Sequence, residues 1–294
     1  MPLDRFNVGR AQITRVEEML DTSFKASQFF PDFSLDKVAP HLAWMSPTYY
    51  LPQSDALVLS MHSWIVNTGR HLVLIDACIG NDKERMPRAH WHRMDGPYLQ
   101  RMRAAGIAPE DIDFVMCTHM HADHLGWNTR LENGRWVPTF PNARYVFGRT
   151  EYEHWLANPF PNPIMRTAFD DSVLPVIEAG RAMMVDENDE IDPALSIRMA
   201  PGHTPGNLCI HLDGIEDQAV FAGDVIHHPI QAWFPDWSTA ACMDQKASVA
   251  SRRALLDYCA NEGALLLPAH FAAPHGGRVE HENTHYRLVW RSPD

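Results

Sequence analysis

The sequence predicts an α/β protein, and three observations carry that expectation. Short apolar runs alternate with helix-like stretches along the body of the chain, as they do where helices cover a sheet. Five of those runs end at or near a side chain able to ligate a metal or to orient a ligand. Leu72–Ile75 runs into Asp76, Phe114–Cys117 into Thr118 and His119, Leu195–Met199 towards His203, Ala219–Phe221 towards Asp224, and Leu265–Leu267 towards His270. The 294 residues, 45% hydrophobic and 21% charged, have an ordinary globular composition and length enough for a large buried core. Ligand sites in α/β folds gather beyond the carboxyl ends of strands, so the five run ends imply one common site.

Taken in order, residues 1–40 read as an N-terminal extension with one strand, Ala11 to Glu17. Its aromatics, Phe24, Phe29, Phe30 and Phe33, pack either on the body or on another subunit, with the body preferred. Residues 41–294 read as one catalytic domain. Its strands are expected at Ala56–Val66, Leu72–Ile75, Phe114–Cys117, Ala143–Phe147, Leu195–Met199, Leu208–Leu212, Ala219–Phe221 and Ala264–Leu267, each a short apolar run bounded by polar residues. Helices are expected at Pro97–Ala105, Thr150–Leu156, Ser172–Ala179 and Gln245–Asn261. The last has the firmest ends, with Asp244 as N-cap and Gly263 just past its C-terminus.

Composition excludes several functions. A net charge of −12 and scattered Lys and Arg argue against a nucleic-acid partner, whose phosphates call for clustered cations. The five cysteines are odd in number, widely spaced and without a C-x-x-C pair, so neither a disulfide framework nor a zinc ribbon is indicated. Cys117 and Cys209 lie in apolar runs and read as buried, inert thiols. The N-terminus lacks the apolar core of a secretory signal, and no stretch approaches the ~20 apolar residues that span a bilayer. A cytoplasmic enzyme without a membrane partner is the expectation.

The chemistry is concentrated in Cys117-Thr-His-Met-His-Ala-Asp-His-Leu-Gly-Trp127, which contains H-x-H-x-D-H. Three imidazoles and a carboxylate within six residues suit zinc or a similar borderline metal. On a flat strand His119, His121 and Asp123 would align on one face, whereas a tight turn would splay the four groups towards two neighbouring ions. Spacing leaves that choice open. Among the 17 histidines, His90, His92, His154, His281 and His285 lie in polar surroundings and read as solvated.

His119-x-His121-x-Asp123-His124, then Pro-Gly-His203-Thr-Pro-Gly, Gly-Asp224 and Ala-His270-Phe, in that order, resemble the motifs of the metallo-β-lactamase superfamily, over about residues 55–275. The resemblance implies a four-layered αββα sandwich and a dinuclear zinc site, with Mn²⁺, Co²⁺ or Fe²⁺ as alternative metals. It assigns His119, His121 and His203 to one ion, Asp123, His124 and His270 to the other, and Asp224 as a bridge. Asp76 would orient a ligand histidine, a role that metal-bound imidazoles generally need filled. A homodimer is implied on the same grounds.

With such a centre the resemblance implies hydrolysis. Zinc-bound water has a pKa of roughly 7, so hydroxide is available at neutral pH to attack a carbonyl or phosphoryl centre. Asp123 or Asp224 is then placed to pass the proton to the leaving group. Nucleases of the fold need a basic groove, against which the net charge of −12 argues, and Asp224 argues against the fold's true β-lactamases. The branch that remains resembles the lactonases, including those that open acyl-homoserine lactones and so quench quorum signals. One departure concerns substrate. Several of these lactonases have a tyrosine three residues after the bridging aspartate, whereas this chain has His227, as do organophosphate hydrolases similar to methyl parathion hydrolase. His227 or His228 is the candidate hydrogen-bond donor to a small-molecule substrate, and Trp127, Trp233, Phe234, Trp237 and Phe271 are candidate walls of its pocket. A phosphotriester or thioester hydrolase is the alternative, and an iron-dependent oxidoreductase the non-hydrolytic one.

Overall fold

The computed structural model describes residues 4–158, 163–214 and 217–291. The outermost residues of the expected extension and body, 1–3 and 292–294, lie outside the described residues. The chain divides into two compact units. One holds the described residues up to Glu18 together with Met61–Ile197, and the other holds Met19–Ser60 together with the described residues from Arg198 onward.

The first unit is built on a seven-stranded mixed sheet. Asp4–Val8 and Ala11–Asp21 form an antiparallel hairpin, and Leu59–Asn67 pairs antiparallel with Leu72–Ile75. Beyond it, Leu72–Ile75, Phe114–Met116, Arg144–Gly148 and Ala182–Val185 run parallel. Parallel neighbours need a crossover, and the helices Tyr98–Ala104, Arg149–Ala157 and Pro163–Ser172 lie in those connections. Ile65, Leu74, Val115, Tyr145 and Phe147 form one core with Tyr98, Met102, Trp155 and Phe169.

The second unit carries a six-stranded sheet: Leu195–Met199, Leu208–Leu212, Ala219–Gly223, Leu265–Pro268, Gly277–Glu282 and His285–Trp290, in that spatial order. The long helix Gln245–Glu262 supplies Leu255, Leu256 and Cys259 to a core with Val220, Ala222 and Leu266. Both helix ends follow the expectation. Asp244 Oδ1 accepts the Ala247 N–H at 2.9 Å, and Gly263 closes the helix at φ +66°.

The expected strands and helices recur within a few residues of their predicted bounds. The structure adds elements that the sequence reading does not expect: the strands Asp4–Val8 and Ala182–Val185, the polar hairpin Thr129–Glu132/Arg135–Pro138, the helix Pro163–Ser172 and the charged pair of strands Gly277–Glu282 and His285–Trp290. Of the N-terminal aromatics, Phe24 lies edge-on to Phe29. Phe30 is fully buried against the His228 and Trp237 rings, and Phe33 lies edge-on to Trp237.

Candidate metal centre

Each unit carries one set of donors. In the first, Phe114–Met116 ends in Cys117 and Thr118, and the chain then turns tightly. His121 takes the N-cap position of the short helix Ala122–Leu125. The turn, rather than a flat strand, therefore displays the four donors. His119, His121 and His124 are buried, and their rings cluster, with the His119 centroid 4.6 Å from His121 and 4.1 Å from His124. Asp123 Oδ2 lies 3.9 Å from His124 Nε2.

Asp76 organises this set from the end of Leu72–Ile75, where its backbone adopts φ +56°. A left-handed aspartate is uncommon, and such strain concentrates where the surroundings over-determine a functional geometry. Its carboxylate accepts from His124 Nδ1 at 2.8 Å, from the Thr118 N–H at 2.8 Å and from the Thr118 hydroxyl at 2.9 Å. That hydroxyl, its proton committed to Asp76, accepts in turn from His119 Nδ1 at 3.1 Å. One carboxylate thus fixes two imidazoles as the tautomers that present Nε2.

Two further carboxylates brace the same loop. Glu18 accepts from the Ile79 and Gly80 N–H groups and from Trp127 Nε1 at 2.6 Å. Burial pushes its pKa up, against those hydrogen bonds. Glu151 accepts from the Met120 N–H at 3.0 Å and from Trp155 Nε1 at 2.8 Å. Neither was legible as part of the site, because a lone glutamate in a strand or helix carries no motif.

In the second unit, the strand Ala219–Gly223 shifts register between Phe221 and Gly223, and Gly223 turns at φ +48° immediately before Asp224. Such an irregularity re-aims the side chain that follows. The buried Asp224 carboxylate has imidazole nitrogens around it: His270 Nε2 at 3.0 Å, and His203 Nε2 and His227 Nε2 each at 3.2 Å. His270 donates from Nδ1 to the Ser60 carbonyl at 3.2 Å, and His203 Nδ1 lies 3.6 Å from Cys242 Sγ. The loop bearing His203 is held closely, since a Cβ on Gly202, at φ +131°, would stand 2.1 Å from the Ser248 nitrogen.

The two flanking histidines differ sharply. His228 donates from Nε2 to the Tyr49 carbonyl and accepts the Ile230 N–H at Nδ1, so both ring nitrogens serve the backbone. His227 Nδ1 has no hydrogen-bond partner among the described residues, and its ring meets the Phe29 edge at 5.5 Å. Burial pushes both imidazoles down to about 4, keeping them neutral near pH 7. For His203 burial works in the same direction, but the Asp224 carboxylate outweighs it and raises the pKa to about 9. The field of Asp224 therefore favours a positive charge beside it. With imidazoles already steered at Nδ1, that is a donor set fit for a divalent cation.

The aromatic candidates divide. Trp127 is buried and stacked on Tyr98, and Phe271 is fully enclosed in the second core, so both are structural. Trp237 stacks on Phe234 at 4.3 Å, and Trp233 stacks on His285 at 4.1 Å. His285 is thus half-buried against an indole rather than solvated as expected.

A family model described as the metallo-beta-lactamase superfamily matches residues 58–270. The chain is 29% identical over 144 residues to an N-acyl homoserine lactonase, AttM, of Azorhizobium caulinodans, covering 41% of this chain and 47% of that protein. It is 23% identical over 112 residues to the lactonase AiiA of Bacillus thuringiensis subsp. kurstaki, covering 38% of this chain and 37% of that one. The chain spans about half the length or less of the curated relatives it matches. Among solved structures it resembles the hydrolase AbOPH of the beta-lactamase superfamily, with a TM-score of 0.83 at 22% identity over 99% of this chain and 97% of that one. It also resembles AidC, a dizinc quorum-quenching lactonase bound to its homoserine product, with a TM-score of 0.82 at 18% identity over 99% and 97%. At these identities the structural likeness shows the fold.

Proposed function

Because the chain belongs to the metallo-beta-lactamase superfamily, we propose that it is a dinuclear zinc hydrolase that opens a lactone, with an acyl-homoserine lactone as the first candidate, or cleaves an activated ester. The ligands in this reading are His119, His121, Asp123, His124, His203, Asp224 and His270. The observation that carries it is the setting of Asp224, a buried carboxylate with three imidazole nitrogens within 3.2 Å. A bridging aspartate is the family feature that separates such hydrolases from the fold's true β-lactamases. Relatives named as N-acyl homoserine lactonases support the choice of substrate.

When bound, two divalent ions supply Lewis-acid polarisation of the substrate carbonyl and acidify a water nucleophile. The chain's own groups do the rest. Asp76 and Thr118 hold His124 and His119 in fixed tautomers, so the donors need no rearrangement. His227, neutral and buried, donates a hydrogen bond to the acyl oxygen as charge gathers there. Asp123 or Asp224 takes the proton released as water adds and returns it to the departing alkoxide, giving a hydroxy acid that ionises. Phe29 and Phe234, each partly exposed, offer apolar surface to an acyl chain. His228, committed to the backbone, takes no part.

The specific observation favouring a second reading is His227 itself. A histidine at that offset matches organophosphate hydrolases, so a phosphotriester is the alternative substrate. A homodimer is carried forward from the family pattern, and sedimentation checks it. The function is tested by proton release from zinc-loaded protein given an acyl-homoserine lactone, with His119→Ala as control. Fast release lost in the control supports the lactonase. No release, with both ions confirmed bound, rejects that substrate and turns the assay to phosphotriesters and thioesters.

A further inference from the structure

Resting on that reading of His203 as a ligand, we propose that Cys242 is a positioning residue for the metal centre: its thiol holds the His203 ring at Nδ1, and retention of an ion depends on it. The imidazoles of the donor sets use different partners. His124 leans on the Asp76 carboxylate, His119 on the Thr118 hydroxyl and His270 on the Ser60 carbonyl. His203 leans on sulfur, with Cys242 Sγ 3.6 Å from Nδ1 while Nε2 faces Asp224 at 3.2 Å.

The thiol is itself fixed. Cys242 Sγ lies 3.3 Å from Ser248 Oγ and 3.4 Å from Thr239 Oγ1, inside a buried polar cluster. The backbone locks the two segments together on either side. Met243 N–H donates to the His203 carbonyl at 3.1 Å, and Asp244 N–H donates to the Gly202 carbonyl at 2.9 Å. Cys242 therefore sits in a clamp between the His203 loop and the first turn of the helix Gln245–Glu262, which Asp244 caps.

The other four cysteines are placed differently. Cys78 meets the Ser63 hydroxyl, Cys117 the Asn128 amide and Cys209 the Ala222 carbonyl, and Cys259 lies in the apolar core. Among the described residues Cys242 is the cysteine paired with a proposed ligand imidazole. Partners of this kind fix ring orientation and ligand basicity, and their loss typically costs about 10–100-fold in metal affinity.

The test is zinc affinity by competition with a chromophoric chelator, on zinc-loaded wild type, Cys242→Ala, Cys242→Ser and His203→Ala, alongside melting of each metal-free protein. Cys242→Ala should hold one ion about 10–100-fold more weakly. Cys242→Ser should fall between alanine and wild type, and the metal-free proteins should melt together. The cobalt(II)-substituted alanine variant should show a shifted visible spectrum. An alanine variant that binds both ions as tightly as wild type overturns the proposal. So does an affinity loss matched by equal destabilisation of both metal-free variants without recovery by serine, which would make Cys242 a packing residue only. If His203→Ala itself keeps both ions, the assignment of His203 as a ligand fails first, and this inference with it.

Discussion

At the scale of single residues, Lys83 and Arg85 of the first unit are fully buried, although composition alone would place such cations at the surface. Arg85 is fully enclosed and forms a two-pronged pair with Asp171, at 2.7 and 3.0 Å. Lys83, equally enclosed, donates to Thr129 Oγ1 at 2.6 Å and to the Asp171 carbonyl at 3.3 Å, and lies 3.6 Å from the centre of the Trp136 ring. Burial pushes Lys83 down to about 7, more than Asp171 can restore, and Arg85 lowers it further. Between pH 7 and 10.5 the unfolded chain then binds a proton that the folded chain does not. Stability therefore rises with pH across that window: this contribution is complete above the unfolded pKa and is lost as the pH falls to about 7. Lys83→Met should remove the dependence. Melting temperatures of the metal-free proteins, followed from neutral to alkaline pH, should move in favour of wild type as the pH rises. Parallel profiles would mean that Lys83 stays charged throughout.

At the scale of elements, the turn that carries His119 to His124 depends on a close backbone approach. Gly126 lies against the loop after Leu72–Ile75, where a Cβ would come within 1.7 Å of the Ile79 carbonyl oxygen. The Gly126 N–H also donates to the Cys78 carbonyl, and the Trp127 N–H to the Ala77 carbonyl, each at 2.7 Å. Gly126→Ala must push two backbones apart at the point where Glu18 ties them together. It should cost more than about 3 kcal/mol, beyond the usual range for a point change. Chemical denaturation of the metal-free protein measures that cost. A loss under about 1 kcal/mol would show that the approach yields cheaply.

At the scale of the whole molecule, zinc bound as proposed would stabilise the native state by mass action, because the unfolded chain lacks the preformed donor set. Chelation should lower the melting temperature by several degrees, and zinc should restore it with a dependence on concentration. At an ion concentration 100 times Kd the gain is about 2.7 kcal/mol per site. Calorimetry with and without chelator tests this, and an unchanged transition would argue against ions bound to the native donors. Among the described residues no helix is long and apolar enough to cross a membrane.

The sequence by itself singled out the candidate donors. A metal dictates residue type, and the candidate ligands follow buried strands whose apolar runs are readable, so His119 to His124, His203, Asp224 and His270 stood out as a series. The capped helix Gln245–Glu262 was legible for a similar reason, since its end signals are local. Tertiary structure alone decided what holds each donor. His124 and Asp76 are 48 residues apart, His203 and Cys242 are 39, and His270 and Ser60 are 210. No periodicity spans such separations. Tertiary structure also made Trp127 and Phe271 core residues, tied His228 to the backbone while leaving His227 Nδ1 without a hydrogen-bond partner among the described residues, and put Lys83 and Arg85 inside. Ligand identity is written in local chemistry, whereas a hydrogen-bond partner is whatever the folded chain brings within about 3 Å.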